Sequence, residues 1–153
     1  MIFLLPPSET KEPGGKKMAK VLSHKELDKT RKVLQQALLD ICKTPSLAAK
    51  ALKLGPKQSG EIQVNLDLTN PKCLPALDRY TGTLYDALKA GGVTSAMRAR
   101  ASKTVFIQSS LFGLISAGDQ ILNYRFSAGS KLSGLNLKNL WQEAHETVWP
   151  KLS

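Results

Sequence analysis

The sequence predicts an α+β or mixed α/β fold in a single domain, because strand-like and helix-like segments intermingle without a regular βαβ alternation. Three observations carry that prediction. Residues 2–5, Ile-Phe-Leu-Leu, form a short apolar run stopped by Pro6-Pro7, which reads as a buried strand. Residues 104–108, Thr-Val-Phe-Ile-Gln, are strand formers throughout. Elsewhere apolar residues recur at helical spacing, as in Leu27, Leu34, Leu38 and Ile41. At 153 residues and 42% hydrophobic, the chain is long enough for one domain with its own core.

After the first strand, residues 8–20 are polar and contain Pro13-Gly14-Gly15 and Lys16-Lys17, the composition of an exposed loop. Ser23-His24-Lys25-Glu26 matches a capping box and predicts that a helix starts there. Its basic residues Lys25, Lys29, Lys32 and Lys43 fall mostly off the apolar stripe. A second helix is punctuated by Thr44 as cap, Pro45 at the first position and Gly55 beyond the end. Two helices joined by a very short turn have the shape of a helix–hairpin–helix element. The turn Leu54-Gly55-Pro56-Lys57 could offer backbone N–H groups to a phosphate, or the pair could be an ordinary αα-corner.

Pro71 and Pro75 punctuate the next stretch. Leu77, Tyr80, Thr81, Leu84, Tyr85 and Leu88 then make a helical stripe that reads as core, with a possible break at Gly82. Gly91-Gly92 ends it, and residues 94–102 can form a short basic helix with Arg98 and Arg100. Residues 111–135 look irregular, with room for one more short strand. A closing helix over 136–152 buries Leu137, Leu140, Trp141 and Ala144.

Charge is the strongest feature of the composition: 22 Lys+Arg against 12 Asp+Glu, a formal net of +10. Residues 1–60 hold 12 basic and 5 acidic side chains, and residues 61–153 hold 10 and 7. A basic chain suits polyanions such as nucleic acid or nucleotides, although a solvated surface has the same composition. Cys42 and Cys73 make no motif and read as buried free thiols, which suits a reducing cytoplasm. No apolar run is long enough to span a bilayer, and residues 1–5 are too short for a signal-peptide core. A cytoplasmic protein without a membrane partner is therefore expected; oligomeric state is left open.

No nucleophile elbow, Walker A loop, GxGxxG or HExxH is present, so no catalytic residue is assigned. His24 and His145 pair with no serine or cysteine in the pattern. No metal or other cofactor is expected, since no His, Cys or carboxylate cluster suggests one. Two loops remain. Ser8, Glu9, Thr10 and Lys11 leave the first strand, and Ser109, Ser110 and Gly113 leave the second. If the strands are parallel neighbours, both loops open on one sheet edge, where α/β folds bind ligands. Hydroxyls with Lys11 suit an anion. A further basic group is Arg125 beside Tyr124, with Lys131 after Gly129-Ser130. Arg125 could grip phosphate while Tyr124 stacks on a base, or Arg125 could brace the loop against Asp119 with Tyr124 in the core.

Three blocks carry a family resemblance: Pro6-Pro7-Ser8-Glu9-Thr10-Lys11, Tyr80-Thr81-Gly82-Thr83-Leu84-Tyr85, and Ser109-Ser110-Leu111-Phe112-Gly113-Leu114 followed by Asp119, Tyr124-Arg125 and residues 127–130. In order and spacing they resemble the YaaA family of peroxide-stress proteins, with Trp141 where that family tends to carry a tryptophan. In one branch of the family a lysine stands in the place of Glu9, so Lys11 could supply that charge from a shifted position, or Glu9 could do different work. The resemblance implies a hairpin used on DNA, and protection against hydrogen peroxide by limiting free intracellular iron. Family members usually continue well past the equivalent of residue 153, so this chain resembles their N-terminal portion.

The leading expectation is thus a non-catalytic protein that binds DNA weakly and with little sequence preference. Its candidate anion contacts are Ser8, Thr10, Lys11, Lys53, Lys57, Ser109, Ser110, Tyr124, Arg125 and Lys131. The rival is an enzyme, or enzyme remnant, acting on a nucleotide-like or other phosphorylated small molecule. A third reading is a short chain that exposes core surface and associates through it.

Overall fold

Residues 1–152 are described in the computed structural model of the chain. In order the elements are β1 (Phe3–Leu5), β2 (Lys16–Lys17), α1 (Asp28–Cys42), α2 (Pro45–Ala51), α3 (Gly60–Leu66), β3 (Lys72–Pro75), α4 (Ala76–Arg79), α5 (Thr83–Lys89), α6 (Ser95–Thr104), β4 (Val105–Ser109), β5 (Gly113–Ser116), β6 (Gln120–Leu122) and α7 (Leu137–His145). Short 3-10 turns occupy Lys25–Leu27, Pro56–Gln58, Asp67–Thr69 and Trp149–Leu152. Helices and strands are mixed as the α+β expectation requires. The chain divides into two compact units, each assembled from separated segments.

The first unit comprises Met1–Ser23, Pro71–Ser109 and Leu114–Asn123. One of its sheets has the order β1-β4-β5, with β1 parallel to β4 and Phe3 opposite Val105. The other has the order β2-β3-β6 and is antiparallel, placing Lys17 opposite Lys72 and Cys73 opposite Leu122. Ile107, Leu114, Ile115, Tyr80 and Tyr85 are buried in this unit, so β4 and β5 supply much of its core.

Arg79 is completely buried, and among the described residues its guanidinium meets no carboxylate. Its guanidinium donates instead to backbone carbonyls of Glu12 (2.6 Å), Lys72 (2.9 Å) and Ile121 (3.1 Å). Burial pulls its pKa below the ordinary arginine value. One side chain thereby fastens the 8–12 segment to β3 and β6 of the second sheet.

Three expectations need correction in this unit. The strand at residues 3–5 exists, but it is not buried: Phe3 and Leu4 are 51% and 55% exposed. Part of the expected 8–20 loop is a strand, because Lys16 and Lys17 pair along the edge of β3. The stripe through Leu84 and Leu88 does not reach the core; both leucines are exposed while Tyr85 is buried. The cause is a break between α4 and α5. Gly82 sits at φ 109°, a left-handed region that suits glycine, and the two helices do not share one axis phase.

The second unit comprises His24–Asn70, Ser110–Gly113 and Tyr124–Ser153 and is helical. Leu27, Leu34 and Leu38 are buried as their spacing predicts, and Ile41 is half-buried. The buried stripe also contains Arg31, whose Nε donates to Phe112 O at 2.7 Å and whose Nη1 donates to His24 O and Asp28 Oδ1.

The capping box does not form. Ser23 donates its N–H and hydroxyl to the two carboxylate oxygens of Asp119, both bonds lying in the first unit. Ser23 is held by this charge-assisted pair and not turned to the N–H groups of a helix start, and helix entry is deferred to a 3-10 turn and then Asp28. Pro45 opens α2 as expected, with Thr44 at the cap position but making no side-chain capping bond. The helix α3 has no counterpart in the sequence reading. The closing helix ends at His145, earlier than expected, with Asn136 accepting the Asn139 N–H at its start.

Candidate functional site

The first and second resemblance blocks meet in the first unit. Thr81 donates its N–H to Thr10 O, Glu12 donates to Arg79 O, and Tyr85 donates its hydroxyl to Pro6 O at 2.6 Å. A β-carbon at Gly82 would stand 3.2 Å from both Ser8 Oγ and Thr10 Oγ1, so the bare glycine lets the 8–11 loop settle against residues 81–83. Within that loop Ser8 Oγ and Thr10 Oγ1 lie 3.1 Å apart, and Thr10 also donates to Thr81 O. Lys11 donates to Glu9 O at 3.3 Å and stands 5.8 Å over the Tyr80 ring. Glu9 therefore engages Lys11 through its backbone, and the loop hydroxyls bond to one another and to backbone. The Tyr80–Tyr85 block is its scaffold.

The parallel pairing of β1 and β4, the condition placed on the two-loop site, is met. Ser109 at the end of β4 is completely buried, however, because its strand lies inside the sheet. It cannot receive a ligand from solvent, which corrects its place among the candidate contacts. Ser110 belongs to the second unit, is half-buried, and accepts the Trp141 indole N–H at 2.7 Å through its carbonyl. Gly113 follows at φ 69°, and a β-carbon there would meet Trp141 Cζ3 at 2.7 Å. In the second unit, then, the Ser110–Gly113 stretch is a packing surface for Trp141.

Tyr124 is also corrected. It is 2% exposed, with its ring edge-on to Phe112 at 5.2 Å, so it cannot stack on a base. The Asp119 carboxylate accepts from Ser23 and from the Ser116 N–H within the first unit, and the backbone of Arg125 is braced within the second. Buried Asn65 does that work: its Oδ1 accepts the Arg125 N–H at 2.8 Å and its Nδ2 donates to Arg125 O at 2.9 Å. An amide side chain thus pairs with this backbone as a neighbouring strand would. The Arg125 side chain is half-buried, with no partner for its guanidinium among the hydrogen bonds described.

Two of the candidate lysines bear on the same loop, one by its side chain and one by its backbone. Ala49 O accepts from Leu54 N–H and Lys50 O accepts from Lys53 N–H, the two bonds of a Schellman motif closing α2. Its left-handed position is filled by Lys53 at φ 55°, not by Gly55, which is extended. The Lys53 side chain reaches toward the 127–131 loop, its Nζ lying 3.6 Å from where a Gly129 β-carbon would be. Lys131 fixes the same loop by donating its N–H to Ala51 O. Ser127 and Ser130 bond within that loop and shape it.

Of the two readings of the Leu54–Lys57 turn, the phosphate cradle meets backbone donors that are largely in use. The Leu54 N–H is used by Ala49, the Gly55 N–H by Gln58 Oε1, the Gln58 N–H by Gly55 O, and Pro56 has none. Lys57 is exposed on the 3-10 turn that follows. Side-chain ammonium groups, not backbone donors, are what this region offers an anion.

Sequence reasoning assigned no role to Lys16, Lys17 and Lys72. All three are exposed, and Lys17 lies directly opposite Lys72 on the sheet edge, an arrangement of like charges that disfavours itself unless an anion intervenes. Their signal was the Lys16-Lys17 doublet. Cys42 and Cys73 are buried free thiols as predicted, with pKa values raised by burial. A cavity of about 290 Å³ beside Arg98 and Ser102 contains none of the candidate contacts, and Arg98 is paired with Asp78 at 2.7 Å.

The three blocks thus have defined places, two of them interlocked, and the model of the family described as "Peroxide stress protein YaaA" matches residues 1–151. The chain belongs to the YaaA family. It is 38% identical to a UPF0246 protein of Corynebacterium efficiens over 135 residues, covering 88% of this chain and 54% of that protein. It is 33% identical to a UPF0246 protein of Streptomyces coelicolor over 156 residues, covering 99% of this chain and 60% of the relative. A UPF0246 protein of Shewanella baltica is 27% identical over 157 residues. The chain therefore spans about half to three-fifths of the length of these curated relatives. No helix among the described residues is long and apolar enough to cross a membrane.

Proposed function

We propose that this YaaA-family chain serves the peroxide-stress role of its family in the cytoplasm by binding the phosphate backbone of duplex DNA. The observation that carries the reading is Lys53, a charged residue held in a left-handed conformation with its ammonium directed over the loop that ends at Lys131. A glycine would fill that position with less strain, and residues kept in such conformations cluster at functional sites. Lys57 and the half-buried Arg125 belong to the same unit and add charge to it. The limitation of free intracellular iron that the resemblance implies is part of the same proposal. A phosphorylated small molecule at residues 8–11 is less well supported, because the hydroxyls there bond to each other and to Thr81 O.

Titration of a mixed-sequence duplex at several salt concentrations tests the reading. With about four phosphates contacted, log K falls against log salt with a slope near about −3.6. Lys53→Gly weakens binding and flattens the slope by about 0.9, the share of one phosphate. A slope near zero, or no association at low salt, overturns the proposal.

A further inference from the structure

We propose that the outer edge of β1 is a docking site for one extended strand of polypeptide, supplied by the part of the longer YaaA-family proteins that this chain does not match. The first ground is the sheet itself. In the order β1-β4-β5, strand β4 is paired on both sides, while β1 has a partner only on one. Its outer row of backbone donors and acceptors is open to another strand.

The second ground is what lies on that strand. Phe3 and Leu4 are 51% and 55% exposed, and Met1 and Ile2 just before β1 are 98% and 44% exposed, so large apolar side chains stand in water on both of its faces. Parallel sheets are ordinarily covered on both faces. The third ground is the contrast with β2, the edge of the other sheet in the same unit, which carries Lys16 and Lys17. Lysine on an edge strand deters unwanted pairing; residues 1–5 hold no charged side chain, proline or glycine. One edge is guarded and the other is not.

The occupant follows from length. The C. efficiens relative matches over 135 residues that make up 54% of it, so nearly as much polypeptide again lies outside the match. A single strand laid along β1 would pair with about five residues, roughly 17 Å, before Pro6-Pro7 interrupts the ladder. Its side chains would flank Phe3 on one face and Ile2 and Leu4 on the other. The pairing is apolar and independent of the lysines proposed to meet DNA, so either proposal can fail alone.

The test uses two preparations: this chain mixed with the unmatched part of the C. efficiens relative, and a chimera in which residues 1–151 replace that relative's matched part. Size analysis and hydrogen exchange of the residue 2–5 amides are read in 0.5 M salt. The expected results are a one-to-one complex in the mixture, slower exchange at β1 in both preparations by at least tenfold, and loss of both effects in Leu4→Asp and Phe3→Asp. These positions are exposed in the free chain, so the variants fold. Exchange at β1 as fast in the chimera as in the free chain overturns the proposal. So does a complex indifferent to both variants. A self-associating chain whose dimer is abolished by Leu4→Asp, with no uptake of the relative's segment, replaces the proposed occupant with a second copy and likewise overturns it.

Discussion

Lys53 holds a backbone conformation that glycine holds with less strain, so stability and phosphate binding should pull in opposite directions at one residue. Lys53→Gly is expected to stabilise the fold by about 1 kcal/mol, seen as a raised denaturation midpoint with unchanged m, while weakening DNA binding. Stabilisation without loss of affinity would show that the lysine is there for solubility alone. His145 makes a second prediction at this scale. Its ring is 2% exposed, its Nδ1 lies 2.6 Å from Trp141 O and so donates to it, and its face stacks on Trp149. Burial pushes its pKa below the ordinary 6.5, the Trp141 bond pulls it back up, and Arg31 and His24 reinforce the lowering. The unfolded chain binds the proton more readily than the folded one. Stability should therefore fall as pH drops from 6.5 towards the folded value and hold steady above 6.5. The melting temperature of His145→Gln, followed over the same range, should lack that component; an unaltered slope would place the titration elsewhere.

At the scale of elements, three buried polar side chains do the joining. Arg79 ties the 8–12 segment to β3 and β6, Arg31 ties α1 to Phe112 and His24, and Asn65 ties α3 to Arg125. Asn65→Ala should destabilise the fold by about 2 kcal/mol, because it strands a backbone N–H and C=O that water does not readily reach. Urea denaturation reads this directly, and a change below about 0.5 kcal/mol would mean that the loop finds other partners. Apolar periodicity made Leu27, Leu34 and Leu38 legible, and β-forming residues made β4 legible. The clamps were not, since a pattern that sorts residues by polarity sends arginine and asparagine outward. Arg31 left one trace, its place four residues after Leu27 and three before Leu34 on the buried stripe. The strand β3 hid behind Pro71 and Pro75. In the candidate site, the residue types were readable but not their burial: nothing local marks Ser109 and Tyr124 as interior, because the sheet neighbour of one and the Phe112 ring against the other come from distant sequence.

Across the whole molecule, the folded arrangement of charge differs from its order along the chain. The first 60 residues carry a net of +7 against +3 for the rest, which suggests one basic half. The two compact units redistribute those residues. The first has ten basic and five acidic side chains and the second twelve and seven, a net of +5 in each. On the proposed reading a long polyanion would be drawn to both units, by the opposed Lys17 and Lys72 with Lys16 in one and by Lys53, Lys57 and Lys131 in the other. Removing either set should weaken DNA binding without abolishing it. For Lys53→Gly with Lys131→Ala, the magnitude of the salt slope should drop by about 1.8, two phosphates' worth, and Lys17→Ala with Lys72→Ala should lower it by a similar amount. The second pair should also raise stability slightly, because it relieves a like-charge pair on adjacent strands. Combining all four substitutions should flatten the slope further than either pair does, leaving the share of the remaining basic side chains. If one pair alone removes the whole slope, the DNA lies on a single unit, and the even partition of charge has no part in binding.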